Sequence, residues 1–418
     1  MFSSLRRVFA HIVRAGHLTL LEPDGRQSTF GDGTGEEVVI RVRDRRTALR
    51  LVLDPDLAVG EAYMDGRLTV ERGTIYDFLA LIFSNAATVE PPAGVKFPLQ
   101  MRVALRRLHQ RNPVGLARRH VAHHYDIDGR IYELFLDRDR QYSCAYFESP
   151  DRSLEDAQQA KKRHLAAKLA IEPGMRVLDI GSGWGGLALY LAEACGAEVV
   201  GVTLSQEQHA LSVQRAAQTG LSGRAEFRLM DYREIAGTFD RIVSVGMFEH
   251  VGIGHYREFF GKLRSLLAPD GVAVLHSICR SDGPNATSAW AKKYIFPGGY
   301  IPALSEVVQA IEKSGLYLTD IEVLRLHYAQ TLREWRRRFA DHRDIARRLK
   351  DERFCRMWEF YLAASECAFR WSAMNNVQIQ MCRDQHALPI TRDYMQRDET
   401  RLRGQDAGRP RLKSVPGE

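Results

Sequence analysis

Val177-Leu178-Asp179-Ile180-Gly181-Ser182-Gly183-Trp184-Gly185-Gly186 is the stretch on which the reading of this chain turns. Apolar residues around one Asp read as a buried strand, and a glycine-rich turn follows at once. Leu187, Leu189, Leu191 and Ala192 then open a helical pattern. Strand, glycine turn and helix make the ligand-binding corner of an open α/β sheet, because glycines let backbone N–H groups approach a ligand with no Cβ between. The third glycine comes too early for a dinucleotide fingerprint, and no G-K-[ST] closes the turn as a phosphate loop.

Working outward, the alternation is regular. Strands are expected at 176–180, 198–203, 225–229, 240–245 and 271–276, with helices over 185–195, 205–218 and 255–267 between them. That order predicts a doubly wound α/β sheet, mostly parallel. A Gly/Pro/Ser-rich loop (281–303), a helix at 304–314 and a late strand at 317–327 follow. Then come helices at 332–350 and 353–373, and a last strand near 376–382.

Upstream, residues 3–15 space Leu5, Val8, Phe9, Ile12 and Val13 as a helix carrying Arg6, Arg7 and Arg14. Such a basic amphipathic helix suits an anionic membrane surface, and docking on its own domain is the competing reading. Short strands at 18–21, 38–43 and 48–53 and a helix at 76–86 complete a small α+β module. A basic stretch, Arg102 to Arg119, reads as a linker. These features divide the chain into a module at 1–118, a catalytic domain at 119–396 and a disordered, charged tail at 397–418.

The 418 residues carry a net charge of +7, 45% hydrophobic and 27% charged residues, and six scattered cysteines without a CxxC pair. The thiols point to a reducing compartment and no metal cage, and the charge to an anionic partner, phospholipid or nucleic acid. No apolar run reaches the ~18 residues of a membrane span. The N-terminus lacks the pattern of a secretory signal.

In a doubly wound sheet the ligand lies off the carboxyl ends of the strands. Those positions hold the glycine turn, then Thr203-Leu204-Ser205-Gln206-Glu207-Gln208. Thr203 and Gln208 stand where many nucleoside sites grip ribose hydroxyls, and Ser205 is a helix cap. Asp231 could accept from an exocyclic amine and Tyr232 could stack on adenine. Glu249 in Met247-Phe248-Glu249-His250-Val251-Gly252 and His276 in Leu275-His276-Ser277-Ile278 follow neighbouring strands. Two further segments are Tyr142-Ser143-Cys144-Ala145-Tyr146-Phe147 and His327-Tyr328-Ala329-Gln330-Thr331-Leu332.

The turn D-I-G-S-G-W-G resembles the first motif of S-adenosylmethionine (SAM) methyltransferases. With the other five segments in order, residues 118–396 resemble the cyclopropane-fatty-acyl-phospholipid synthases and their mycolic-acid relatives. The resemblance implies a SAM-methyltransferase sheet in which SAM contacts Tyr142 and Ser143, the turn from Asp179 through Gly181, Ser182, Gly183, Trp184 and Gly185, then Thr203, Leu204, Ser205 and Gln208, and Asp231 with Tyr232. It implies a bicarbonate ion held by Glu249, His276 and Tyr328, and by the backbone N–H groups of Cys144 and Ile278. The implied reaction has an acyl-chain alkene attack the sulfonium methyl, after which a modest base removes a proton so that a cyclopropane closes. The implied setting is cytoplasmic, at the inner face of the membrane, with unsaturated phospholipid as substrate, no nucleic acid, and a homodimer presenting two membrane contacts.

One departure stands out. Family members often carry a cysteine in Y-L-x-x-C-x-x-x-F, and this chain has Ser365 there, with Cys367 two residues on. Two residues turn a helix by about 200°, so Cys367 faces elsewhere. Methyl transfer to an alkene needs no thiolate. Two alternative functions remain: a fatty-acyl C-methyltransferase giving methyl-branched or exomethylene lipid, and a basic RNA methyltransferase, for which no RNA-binding module is evident.

Overall fold

The computed structural model describes residues 2–88 and 128–407. These fall into two compact units that interleave in sequence. One holds residues 2–88, 286–297 and 332–374. The other holds 128–285, 298–331 and 375–407. The expected contiguous domain at 119–396 is thus corrected, because 286–297 and 332–374 pack with the N-terminal residues. The boundary expected near 118 and the basic stretch from Arg102 to Arg119 lie outside the described residues.

In the first unit, β1 (His17–Leu21), β2 (Gln27–Phe30), β3 (Glu37–Val42) and β4 (Leu68–Arg72) form a sheet in the order β2-β1-β3-β4. The expected strand at 48–53 is instead a helix, Arg45–Leu53. Asp44 caps it by accepting the Thr47 N–H at 2.7 Å, and Thr47, Ala48 and Leu51 turn inward at helical spacing. The first helix, Phe2–Ile12, spends its apolar stripe at home: Leu5, Phe9 and Val13 are buried, and Phe9 packs on Phe30 and Phe78. The docked reading of that helix prevails over the membrane one.

The second unit is built on seven strands: β5 (Arg176–Ile180), β6 (Glu198–Thr203), β7 (Ala225–Leu229), β8 (Phe239–Val245), β9 (Leu267–Arg280), β10 (Tyr317–Val323) and β11 (Met374–Cys382). Their order is β10-β11-β9-β8-β5-β6-β7, with β5 to β9 mutually parallel where paired and β10 antiparallel to β11. Apolar side chains leave both faces of β5, as a sheet covered on both sides requires. Leu178 and Ile180 join Phe259, Phe260 and Ile379 in one core, and Val177 joins Leu191, Val199 and Val274 in the other. The chain winds outward through β6 and β7 and then back through β8 and β9, so the switch point lies between β5 and β8.

Residues 393–407 correct the expected disordered tail. Asp393–Ala407 is a helix whose Tyr394, Met395 and Leu402 are buried, with Leu402 in the second of those cores. Residues 408–418 lie outside the described ones. All six cysteines are free and buried. Among the described residues no helix is long and apolar enough to cross a membrane, and no cluster could hold a metal ion.

Candidate active site

The crevice at the switch point is opened by glycine geometry. Gly181 follows β5 with φ +82°, and a Cβ there would stand 2.9 Å from that of Met247, so the turn after β5 and the segment after β8 touch only because residue 181 has no side chain. Gly185, also at φ +82°, starts the helix Gly186–Ala194 against Phe227 and Ser212. The helix N-terminus follows this turn directly, with Asp139 and Gln141 packed against Gly186.

Around this turn two buried polar atoms, Asp179 Oδ2 and Ser182 Oγ, have no hydrogen-bond partner among the described residues. Burial pushes the Asp179 carboxyl up to about 7, with the charge of Lys161 opposing. Orphaned polar atoms of this kind are costly unless a ligand satisfies them. They suit a polar, cationic amino-acid nucleoside such as SAM. At β6 the Thr203 hydroxyl donates to Gln208 Oε1 at 2.9 Å, and Ser205 caps the following helix through the Gln208 N–H at 3.3 Å. Leu204, half-buried, forms the turn between them. Both oxygens of Asp231 accept from the Arg233 guanidinium, at 2.9 and 2.7 Å, which orients the carboxylate and leaves it lone pairs for an exocyclic amine. Tyr232 packs edge-on against Phe259, and its hydroxyl is driven up by burial.

The segment before the sheet is tied to the one after it. The Ala145 N–H donates to Thr331 Oγ1 at 3.0 Å, and the Phe147 N–H to His327 Nδ1 at 2.9 Å. Tyr146 is stacked between the rings of His164 and His327, with centroids 4.2 and 4.9 Å away. Residues 327–332 begin a helix (His327–Asp341), earlier than expected, so buried Tyr328 shares the opening turns with Thr331. Tyr142 packs edge-on against Tyr132, as does Trp184. Cys144 is buried, and burial drives its thiol well above the usual range, so it stays protonated.

The strand ends bring Glu249 and His276 close together in the fold. Val245 pairs with His276 across β8 and β9, and the Gly246 N–H donates to the His276 carbonyl at 2.9 Å. Glu249 is buried, and the Tyr300 N–H holds its backbone carbonyl at 2.9 Å. Its Oε1 accepts the Ile278 N–H at 2.6 Å. The Ile278 amide, expected to face an anion, is here spent on Glu249. Burial raises the Glu249 carboxyl above its ordinary range, against the pull of that N–H. His276 is wholly buried, its Nδ1 lies 3.2 Å from Gln378 Nε2, and desolvation holds it well below the usual histidine range, so the ring is neutral. Glu249 Oε2 and His276 Nε2 are both buried without a partner among the described residues. A carboxyl held toward its protonated form can share a proton with a small oxyanion that a bare carboxylate would repel. Ser143 connects the two groups of segments: its Cβ would lie 3.9 Å from a Cβ on Gly246.

Sequence reasoning missed Lys161. In the helix Leu154–Leu169, which the sequence analysis did not single out, Lys161, Lys162, Arg163, His164 and Lys168 are all buried. Lys161 Nζ donates to Gln141 Oε1 at 2.6 Å and to Ser143 Oγ at 2.8 Å. The acids that permit this burial, Asp139, Glu148, Asp320, Glu322, Glu399 and Asp406, come from segments far apart in the chain.

Comparison with known proteins agrees with this geometry. The profile of the mycolic acid cyclopropane synthetase family matches residues 115–379, and a domain of unknown function (DUF7884) matches residues 17–94. The cyclopropane-fatty-acyl-phospholipid synthase of Escherichia coli K12 is 38% identical over 79% of this chain and 84% of its own. The tuberculostearic acid methyltransferase UfaA1 of Mycobacterium tuberculosis is 34% identical over 91% of this chain and 90% of its own. The crystal structure of the mycolic acid cyclopropane synthase CmaA1, complexed with S-adenosylhomocysteine (SAH) and CTAB, superposes with a TM-score of 0.61 at 32% identity, covering 65% of this chain and 99% of that one.

Proposed function

The chain belongs to the mycolic acid cyclopropane synthetase family and is a SAM-dependent methyltransferase, and from that premise we propose that it adds a methylene group to the cis double bond of acyl chains in membrane phospholipids. The observation that carries this reading is the pair of orphaned buried atoms, Glu249 Oε2 just past β8 and His276 Nε2 in the neighbouring β9, level with the end of β8.

A cis alkene is a weak nucleophile, so the protein must set the sulfonium methyl in line with the π bond and keep water away. The Gly181 to Gly185 turn, with Asp179 and Ser182, holds the donor. One alkene carbon bonds to the methyl carbon as the carbon–sulfur bond breaks, and SAH leaves as a neutral thioether. The acyl chain is then a carbocation, and loss of a proton from the new methyl closes the ring. Bicarbonate would supply the modest base for that proton, and the residues that would hold it are Glu249, His276 and Tyr328, with the Cys144 segment. Glu249 takes the protonated or the ionised form as the anion requires, and His276 stays neutral and orients it. Aromatic faces of Tyr142, Tyr146, Phe147 and Trp184 are the candidates to stabilise the cation, by ~0.5–2 kcal/mol each.

A phospholipid substrate calls for work at a membrane surface, and the peripheral, cytoplasmic and dimeric setting expected from the sequence stays part of the proposal. Purified protein given SAM and vesicles of cis-unsaturated phospholipid should yield lipid one CH2 heavier, with cyclopropane ring protons in its NMR spectrum. Unchanged lipid would overturn the reading. A second outcome is favoured by the similarity to a tuberculostearic acid methyltransferase: the same cation, after a hydride shift and loss of a proton to the base, gives an exomethylene chain, which a separate nicotinamide-dependent reductase would have to saturate, with hydride and a proton, to leave a methyl branch. The ring protons separate the two.

A further inference from the structure

Lys161 is the buried charge to which the reaction proposed above gives no task. Its ammonium donates to Gln141 and Ser143, and charged or titratable groups surround it on several elements. Asp137 and Asp139 face it from the preceding loop, Lys162 from its own helix, and Cys144 from the segment before the sheet. Asp179 at the end of β5 and His276 in β9 also feel its charge. Asp139 is taken up by Lys162 and Arg215. Asp137 is pushed up to about 6 by burial and by Asp139. Lys161, Lys162 and Arg215 thus face Asp137, Asp139 and, at the crevice, Asp179, yet Lys161 spends its hydrogen bonds on neutral oxygens alone.

The direction in which a ligand anion lies follows from hydrogen-bond counting. A serine hydroxyl has one proton to give. Lys161 donates to the Ser143 oxygen, so the Ser143 proton must go to another acceptor, and Ser143 stands beside Gly246 at the crevice. The methyl donor carries one anionic group, the carboxylate of its amino-acid end. We propose that Lys161 is a positioning residue for that carboxylate, acting through the Ser143 hydroxyl, and that together they form the amino-acid subsite of the cleft. This rests on the reading of the crevice as the SAM site.

The test compares two ligands by calorimetry: SAH, and 5′-methylthioadenosine, which keeps the nucleoside and sulfur but lacks the amino-acid end. Lys161→Met should weaken SAH by ~10–100-fold and leave methylthioadenosine within about threefold, since a charge-assisted hydrogen bond is lost for one ligand only. Ser143→Ala should show the same selectivity, and the double variant should lose little more than Lys161→Met alone. Wild-type protein gives an independent readout. Burial brings Lys161 down to about 8, so SAH affinity, relative to methylthioadenosine, should fall as pH rises through that value. Asp179 gains charge over a lower range, and its effect on an ammonium-bearing ligand has the opposite sign. In Lys161→Met the pH-dependent fall should vanish. Equal weakening of both ligands, no weakening of either, or a wild-type ratio constant between about pH 6.5 and 9.5 would each overturn the proposal. If Lys161→Met fails to fold, the wild-type pH series and Ser143→Ala still decide it. Wild-type protein that binds neither ligand would strike at the SAM reading itself.

Discussion

Glu249→Gln separates anion positioning from cofactor binding. The wild-type carboxylate accepts the Ile278 N–H at 2.6 Å through Oε1 and leaves Oε2 buried and open. A glutamine oxygen still accepts that N–H, so the strand end keeps its shape. The loss is the charge-assisted part of one hydrogen bond, about 1 kcal/mol, partly offset because a neutral amide is cheaper to bury. A Tm change of only about 1 °C follows. At the open position the substitution puts an NH2 donor, or a neutral acceptor, where the proposed oxyanion shares a proton. Removing one preorganised group of that kind costs ~10²–10³ in turnover, or ~2.7–4 kcal/mol. The assay is single-turnover transfer of a labelled methyl group from SAM to unsaturated phospholipid vesicles, with SAH titrated by calorimetry in parallel. The rate should drop by that factor while the SAH Kd stays within about threefold. The pH profile adds a sign. Burial raises the Glu249 carboxyl, so its ionised form is lost as pH falls through a value above the ordinary carboxylate range, and the acid limb of the wild-type rate should flatten in the variant. A rate within about threefold of wild type, or an SAH Kd that rises in step with the loss of rate, would refute the assigned role.

Other perturbations probe the frame of the site. Gly181→Ala meets both a left-handed φ and the Met247 side chain, so stability should fall by ~1–2 kcal/mol from the backbone alone and SAH binding should weaken; an unchanged Tm and Kd would show that the turn relaxes freely. Truncation after Ile390 removes buried Tyr394, Met395 and Leu402 and strips His164 and Arg163 of Glu399 and Asp406, so Tm should drop by more than about 5 °C, whereas a disordered tail would leave it unmoved. His276 is held below its unfolded value, so the folded state binds fewer protons and stability, full above about pH 6.5, erodes as pH falls beneath it. In His276→Gln, urea unfolding between about pH 5 and 6.5 should show a shallower loss than in wild type; parallel curves would mean that the ring protonates in the folded state.

The sheet was legible because each strand announces itself within a few residues. Val177 to Ile180 are followed at once by the glycines, and the parallel register of β5, β6, β8 and β9 needs nothing beyond apolar runs separated by helical ones. Glu249 and His276 were legible for the same reason: a residue just past a strand, or at its carboxyl end, has a known place once the strand order is known. Elements whose character depends on distant partners were not. Ala48 to Leu53 alternates well enough for a strand, and only Asp44 as a cap and the inward turn of Thr47, Ala48 and Leu51 make it a helix. The tail reads as disordered because its charges have no partners nearby in sequence, yet Arg403 pairs with Glu148, and Glu399 and Asp406 pair with His164 and Arg163, more than two hundred residues away.

The helix Leu154–Leu169 sharpens the same point. Periodicity reads a face as buried only when that face is apolar, and here five cationic side chains are inside. Burying them is tolerable only because acids arrive from the loop at 137–148, from β10 and from the last helix. Lys162, Arg163, His164 and Lys168 each find a carboxylate in this way. Lys161 alone of the five bonds only to neutral oxygens, those of Gln141 and Ser143. A cation whose neighbours have each found a hydrogen-bonded carboxylate, while its own hydrogen bonds go to uncharged atoms at a ligand crevice, is placed to act on a ligand anion through those atoms. That asymmetry separates a structural lysine from a functional one here, and it emerges only when the partners of all five are laid side by side.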